Sequence, residues 1–308
     1  TTEVLRETVL NIHLENVNLN SNTGPNSFAK KLTKYASKAG CSFDLKQTPN
    51  AHLCFIESSR ENFDCPMFQR LDGIYFNTKF DYNLQNRNIK RTYEISNGVI
   101  FQSEFNKKLT TKYFGSHPNS IVIHNGADLE KINSTRVLNN SVLDGYESVW
   151  SCASNWRPHK RLKDNIRYFL EHSSNRECLV VAGKTDYPKA HDRIFFVGDL
   201  PHEALIALYK RSKYFLHLAW LDHCPNVVVD ARASGCKIVC STAGGTREIA
   251  GTNALIIEED NWDMSPVDLY NPPQINFDKV VDNNISTDYN MKVVANKYID
   301  FMRQSNEN

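Results

Sequence analysis

Residues 221–249, LDHCPNVVVDARASGCKIVCSTAGGTREI, restrict the fold of this 308-residue chain more than any other segment. Asp222 and Asp230 stand with seven residues between them. Pro225 suits the first position of a helix, where its fixed φ fits and its missing N–H is no loss. The pattern predicts a helix over 227–233 that ends at Gly235, a residue free to cap at positive φ. An apolar strand over 237–240 follows, and then a Gly244-Gly245 turn into a second helix. Such a unit belongs to a parallel sheet, with both loops on the rim where open α/β sheets bind ligands. A helix starting at Pro225 aims unpaired N–H groups and its positive dipole end at whatever lies above it, which suits a phosphate. Asp230, about a turn and a half further on, is placed to accept from ribose hydroxyls. Asp222 precedes the helix, on the sugar side of that phosphate. Spacing alone favours a plainer alternative, two surface aspartates flanking an ordinary loop.

A resemblance changes that balance. Asp222, Asp230, Ala231, Gly235, Val239, Gly244, Gly245 and Glu248 together resemble the donor-binding signature of retaining GT-B fold glycosyltransferases, family 4 in particular (glycosyl transferases group 1). The family carries glutamate at both acidic positions. Aspartate keeps the charge here and shortens each side chain by one methylene. The resemblance implies an α/β protein with the GT-B fold, in which two Rossmann-like domains face each other across a cleft. It also implies a C-terminal helix that crosses back to the first domain. His223, Cys224, Asn226 and Val227 join Pro225 and Asp230 as the expected donor-binding loop.

Periodicity agrees with that organisation. Apolar runs at 9–14, 52–56, 73–76, 99–102 and 121–124 alternate with helical patterns, as do those at 149–153, 178–182, 194–197, 214–218, 237–240 and 254–257. Two successive βα series predict two α/β domains. The loop-like, asparagine-rich stretch 137–147 separates them. The expected boundaries are 1–140 for the acceptor side, 141–285 for the donor side and 286–308 for the terminal helix. Met291, Val294, Ala295, Tyr298 and Met302 fall on one face of that helix.

Within 141–285, Ser154-Asn155-Trp156-Arg157-Pro158-His159-Lys160-Arg161 follows a strand and precedes a helix. Three cations in five residues there suit the diphosphate of a leaving group. The family resemblance points to Lys160 as catalytic, with Arg157 and Asn155 near the position of the family's arginine. Asp222 completes the expected catalytic set. Gly183-Lys184 follows its own strand and faces the same rim. The stretch 197–203 resembles the family's base-recognising turn, which brings in Val197 and Leu200.

In the first domain, Thr23-Gly24-Pro25 opens a helix with Phe28, Leu32, Tyr35 and Ala39 inward. Gly24 permits close approach of a ligand to the backbone. The segment resembles the family's glycine-rich loop, with Pro25 where a second glycine is common. Ile121-Val122-Ile123-His124-Asn125-Gly126-Ala127-Asp128 matches the family's domain junction, where Asn125, Gly126 and Asp128 read as hinge and turn residues.

Composition sets the remaining bounds. A net charge of +1, with an excess of three positive charges in residues 1–145, is too small to argue for nucleic-acid binding. No apolar run reaches the roughly 18 residues of a membrane span, and no leader pattern is seen over residues 1–10. The eight cysteines are scattered, with Cys54, Cys178 and Cys240 in apolar runs, as reduced buried thiols would be. A cytoplasmic location is expected. Lys30, Lys34 and Lys38 on one helical face suit a weak peripheral contact with anionic lipid or glycan at the inner membrane surface, a solvated face being the plainer alternative.

The expected activity is metal-independent, retaining hexosyl transfer from a nucleoside-diphosphate sugar of UDP or GDP type to a glycan or lipid-linked acceptor, in polysaccharide biosynthesis. No cofactor and no metal ligand are expected. Two alternatives remain: a GT-B fold nucleotide-sugar 2-epimerase, for which His223 and His124 are loose candidates, and a non-catalytic glycan-binding protein.

Overall fold

The computed structural model describes residues 8–188 and 191–305. Most of residues 1–10, the stretch expected to hold no leader, lies outside them. Five parallel strands form the first sheet: β1 (Ile12–Glu15), β2 (Ala51–Phe55), β3 (Met67–Leu71), β4 (Gly98–Phe101) and β5 (Ser120–Val122), side by side in chain order. Helix α1 (Gly24–Lys38) follows β1, α2 (Tyr82–Ile95) follows β3, and α3 (Glu104–Phe114) follows β4. Short α4 (Leu129–Ser134) leads into the second unit, whose strands are β6 (Ser148–Ala153), β7 (Glu177–Ala182), β8 (Ile194–Gly198), β9 (Ser212–His217), β10 (Lys237–Ser241), β11 (Leu255–Ile257) and β12 (Val280–Val281). Their spatial order is β12-β11-β10-β9-β6-β7-β8, with only β12 antiparallel. The order reverses between β6 and β9, and ligands of doubly wound sheets bind over such a switch point. Helices α5 (Leu162–His172), α6 (His202–Arg211), α7 (Asn226–Ala233) and α8 (Thr246–Ile249) connect these strands.

One expected strand is misplaced. Residues 73–76 are a loop, and the strand is β3, six residues earlier. Gln69 and Arg70 hid it, because both are polar yet fully buried and held by distant groups. Gln69 Nε2 donates to the carbonyls of Ile56 (2.6 Å) and Ile89 (3.1 Å). Ile74 and Phe76 are apolar because they join a cluster between the two sheets, with Trp220, Leu221 and Trp262. A smaller correction concerns α1, which ends at Lys38, so Ala36 is buried and Ala39 is its exposed cap.

The chain passes between the two units twice, and the passages run side by side. Ala127 N donates to Tyr289 O (2.7 Å), and Met291 N donates to Ala127 O (3.0 Å). Helix α9 (Met291–Gln304) then returns to the first unit. Its Met291, Val294, Ala295, Tyr298 and Met302 share a core with Phe28, Leu32 and Phe55. A β-carbon on Gly98 of β4 would lie 2.9 Å from the Phe301 ring, so helix and sheet meet closely there. Each large apolar side chain buried this way contributes about 1.5–3 kcal/mol before ordering costs.

Candidate active site in the interdomain cleft

The carboxyl ends of the strands on either side of the switch point open into a cleft of about 780 Å³. Its central charge pair joins two loops. Lys160 Nζ donates to Asp222 Oδ2 at 2.6 Å, and His217 Nε2 reaches the same oxygen at 2.9 Å. The backbone N–H of His223 donates to Oδ1 at 3.0 Å. Burial alone would raise the Asp222 pKa. The Lys160 ammonium and the His217 contact override it and hold the carboxyl well below its usual range. Burial pushes His217 down in turn, although Asp222 pulls the other way.

Lys160 is held by its neighbour. Arg161 adopts a left-handed conformation at the end of a short turn (Pro158–Lys160), with φ of 54°. Its guanidinium forms a two-pronged contact with Glu259 at 2.8 and 3.0 Å and also donates to the Leu218 and Pro273 carbonyls. Of the three cations read from this loop, Arg161 is therefore a buried anchor. Lys160 and Arg157 line the cleft, as does Asn155.

The second carboxylate lies on α7. Asp230 Oδ2 is 2.9 Å from His202 Nε2, and Lys31 Nζ of α1 is 3.6 Å from Oδ1. Lys131 Nζ faces His202 Nδ1 at 2.9 Å, which leaves Nε2 as the protonated nitrogen facing Asp230. Burial opposes ionisation of Asp230, but Lys31 and His202 hold its pKa below the ordinary value. At the start of α7, Pro225 is the cap residue, and the N–H groups of Asn226 and Val227 have no partner within the helix. Asn226 Nδ2 donates to the carbonyl of Gly24 (3.1 Å), so the glycine loop of the first unit closes over this helix end.

Gly24, Asn155, Gly183, Leu200, His223, Cys224, Pro225, Asn226, Val227 and Asp230 all line the cleft. A β-carbon on Gly183, at φ of 101°, would strike the Ser154 carbonyl. Two expected residues are elsewhere. Lys184 is exposed and pairs with Asp199 at 3.5 Å, and Val197 is exposed on β8; neither lines the cleft. Glu248 serves a different purpose from the aspartates. It accepts from the N–H groups of Glu104 (2.7 Å) and Phe105 (3.1 Å) and contacts His124 (2.8 Å), clamping α3 to the second unit.

Sequence reasoning missed Asp72, Gln102, His202, Tyr209 and His217, which all line the cleft. Asp72 and Gln102 directly follow β3 and β4, and His217 is the last residue of β9. A polar residue at the carboxyl end of a strand was the available signal, blurred by inexact strand ends.

Residues 154–265 match the family model described as glycosyl transferases group 1. Over this third of the chain the sequence is similar to that family. The segment holds Lys160, Asp222 and Asp230, whereas Gly24 and Asp72 come to the same cleft from outside it, as does Lys31, behind Asp230. The architecture as a whole is the GT-B fold. AviGT4, a glycosyltransferase involved in avilamycin A biosynthesis, superposes with a TM-score of 0.61 at 12% identity, over 96% of this chain and 97% of that one. Sucrose-phosphate synthase from Thermosynechococcus elongatus gives 0.60 at 13%, over 90% and 78%. HepE from Anabaena, solved with UDP and glucose, gives 0.59 at 12%, over 90% and 81%. No curated protein matches the chain by sequence.

Proposed function

We propose that the protein transfers a glycosyl group from a nucleoside-diphosphate sugar to a hydroxyl of a glycan or lipid-linked acceptor, with retention of anomeric configuration. The observation that carries this reading is the Lys160–Asp222 pair at 2.6 Å, set beside the open end of α7 with Asp230 on the same helix. A diphosphate laid along that helix end meets Arg157, Lys160 and the N–H groups of Asn226 and Val227. These groups stabilise charge that develops on the leaving phosphate. Lys160 then exchanges Asp222 for a phosphate oxygen, which frees Asp222 to orient donor-sugar hydroxyls. Asp230 accepts from the ribose, with His202 and Lys31 fixing its rotamer. The bond from the anomeric carbon to the phosphate oxygen breaks, the bond to the acceptor oxygen forms on the same face, and the leaving phosphate takes the hydroxyl proton.

The donor is of UDP or GDP type in this reading. HepE, of the same fold, was solved with UDP and glucose. Metal independence belongs to the proposal too, since lysine and arginine stand where the diphosphate charge is to be met. Proton NMR of the product formed from UDP- or GDP-hexose and simple alkyl glycosides tests it. Retention at the anomeric carbon is expected. An inverted product overturns the mechanism, and an epimerised nucleotide sugar formed without acceptor overturns the transferase reading.

A further inference from the structure

Five buried polar atoms of cleft-lining residues have no hydrogen-bond partner among the described residues: Tyr209 Oη, Asn226 Oδ1, Asp230 Oδ1 (which keeps its ion pair with Lys31), His223 Nδ1 and Asp72 Oδ2. Buried orphans of this kind cost stability and call for an explanation. The first three surround α7, on the nucleotide side of the proposed site. The last two come one from each half of the molecule, and the halves meet at Gly73. Asp72 follows β3 of the first sheet, and the His223 ring rests on the next residue, Gly73. A β-carbon there would come within 2.5 Å of His223 Nε2, so only glycine leaves room for the ring.

The Asp72 carboxylate is held rigidly. Its Oδ1 accepts from both Arg70 and Gln102. Arg70 is fully buried, donates to Tyr298 Oη (3.1 Å) and Asn125 Oδ1 (2.8 Å), and lies 3.9 Å from the Phe28 ring centroid. Oδ2 is thus an oriented acceptor with nothing to accept from. His223 packs against Phe105 at 5.3 Å between ring centroids, and burial brings its pKa down to about 4. Near neutral pH the ring is uncharged, so one of its nitrogens donates and the other accepts. A carboxylate in this position repels phosphate. The group that donates to Asp72 and accepts from an imidazole N–H at once is a hydroxyl.

We infer that Asp72 and His223 form a subsite for one sugar hydroxyl, assembled only when the two halves of the molecule meet. The inference rests on the proposed glycosyl transfer, brings Asp72 into it and gives His223 of the expected donor loop a defined contact. The hydroxyl belongs either to the donor sugar or to the acceptor, and the two sources respond differently to substitution.

The test compares wild type, Asp72→Asn and His223→Gln, using UDP- and GDP-hexoses, the bare nucleoside diphosphates and alkyl glycoside acceptors. Each variant is expected to lose tenfold or more in kcat/KM while its Kd for the bare nucleotide stays within twofold. A donor hydroxyl shows as a raised Kd for the nucleotide sugar, and an acceptor hydroxyl as a raised acceptor KM with that Kd unchanged. Folded variants with wild-type values of both overturn the subsite. His223→Gln leaves the Arg70 network intact and decides the matter alone if Asp72→Asn does not fold. Failure of the wild type to bind any nucleoside diphosphate overturns the transferase reading instead, before any variant is made.

Discussion

Lys160 and Asp222 neutralise each other at 2.6 Å, so removing either leaves the other's partly buried charge without its opposite. In the proposed mechanism the ammonium also meets the leaving phosphate. Lys160→Ala should therefore lower turnover by on the order of 10²-fold or more, with a smaller effect on nucleotide affinity. Steady-state kinetics beside nucleotide titration separates the two, and wild-type turnover would remove Lys160 from the chemistry. The histidines make a second prediction. Burial pushes His52, His159 and His223 down to about 4, from 6.5. They are neutral in the folded protein and take up protons on unfolding, so their contribution is intact above about pH 6.5 and is lost as pH falls towards 4. Urea midpoints should drop clearly between pH 7.5 and pH 5. A flat or rising midpoint would contradict this.

At the level of elements, the paired passages at Ala127 and Met291 leave little room between them. A β-carbon on Gly126 would lie 2.8 Å from the Met291 Cα, a backbone atom that cannot rotate away. Gly126→Ala should cost about 1–3 kcal/mol, read from chemical denaturation. Unchanged stability would show that the two passages separate easily. The same region shows what was legible in the sequence. The Asn125-Gly126 match sits beside the passage at Ala127, and the 3.6-residue pattern over α9 found five of its seven buried residues, missing Ile299 and Phe301, because both signals are local. Strand β3 was hidden, since two of its five residues are polar side chains whose partners lie on distant elements. Asp72 vanished with it, as its position has meaning only as the end of that strand. The His202–Asp230 and Lys31–Asp230 contacts join residues 28 and 199 positions apart, which no periodicity encodes.

Over the whole molecule, charge is spent internally. Lys34 pairs with Asp128 at 2.7 Å, and Lys38 pairs with Glu130 at 2.6 Å, which reduces the field that an anionic surface would meet. No helix among the described residues is long and apolar enough to cross a membrane. The cleft is closed by contacts from both halves, including Asn226 to Gly24, Glu248 to α3, and His223 on Gly73. If its cations carry the diphosphate, EDTA should leave transfer rates unchanged, and loss of activity restored by Mg²⁺ would refute metal independence. The most direct test is calorimetric titration of the wild type and Asp230→Ala with UDP, GDP, ADP and CDP. Saturable, one-to-one binding of UDP or GDP by the wild type, weakened tenfold or more in the variant, is the predicted result. No binding by the wild type, or equal binding by both proteins, would contradict a nucleotide site built on α7.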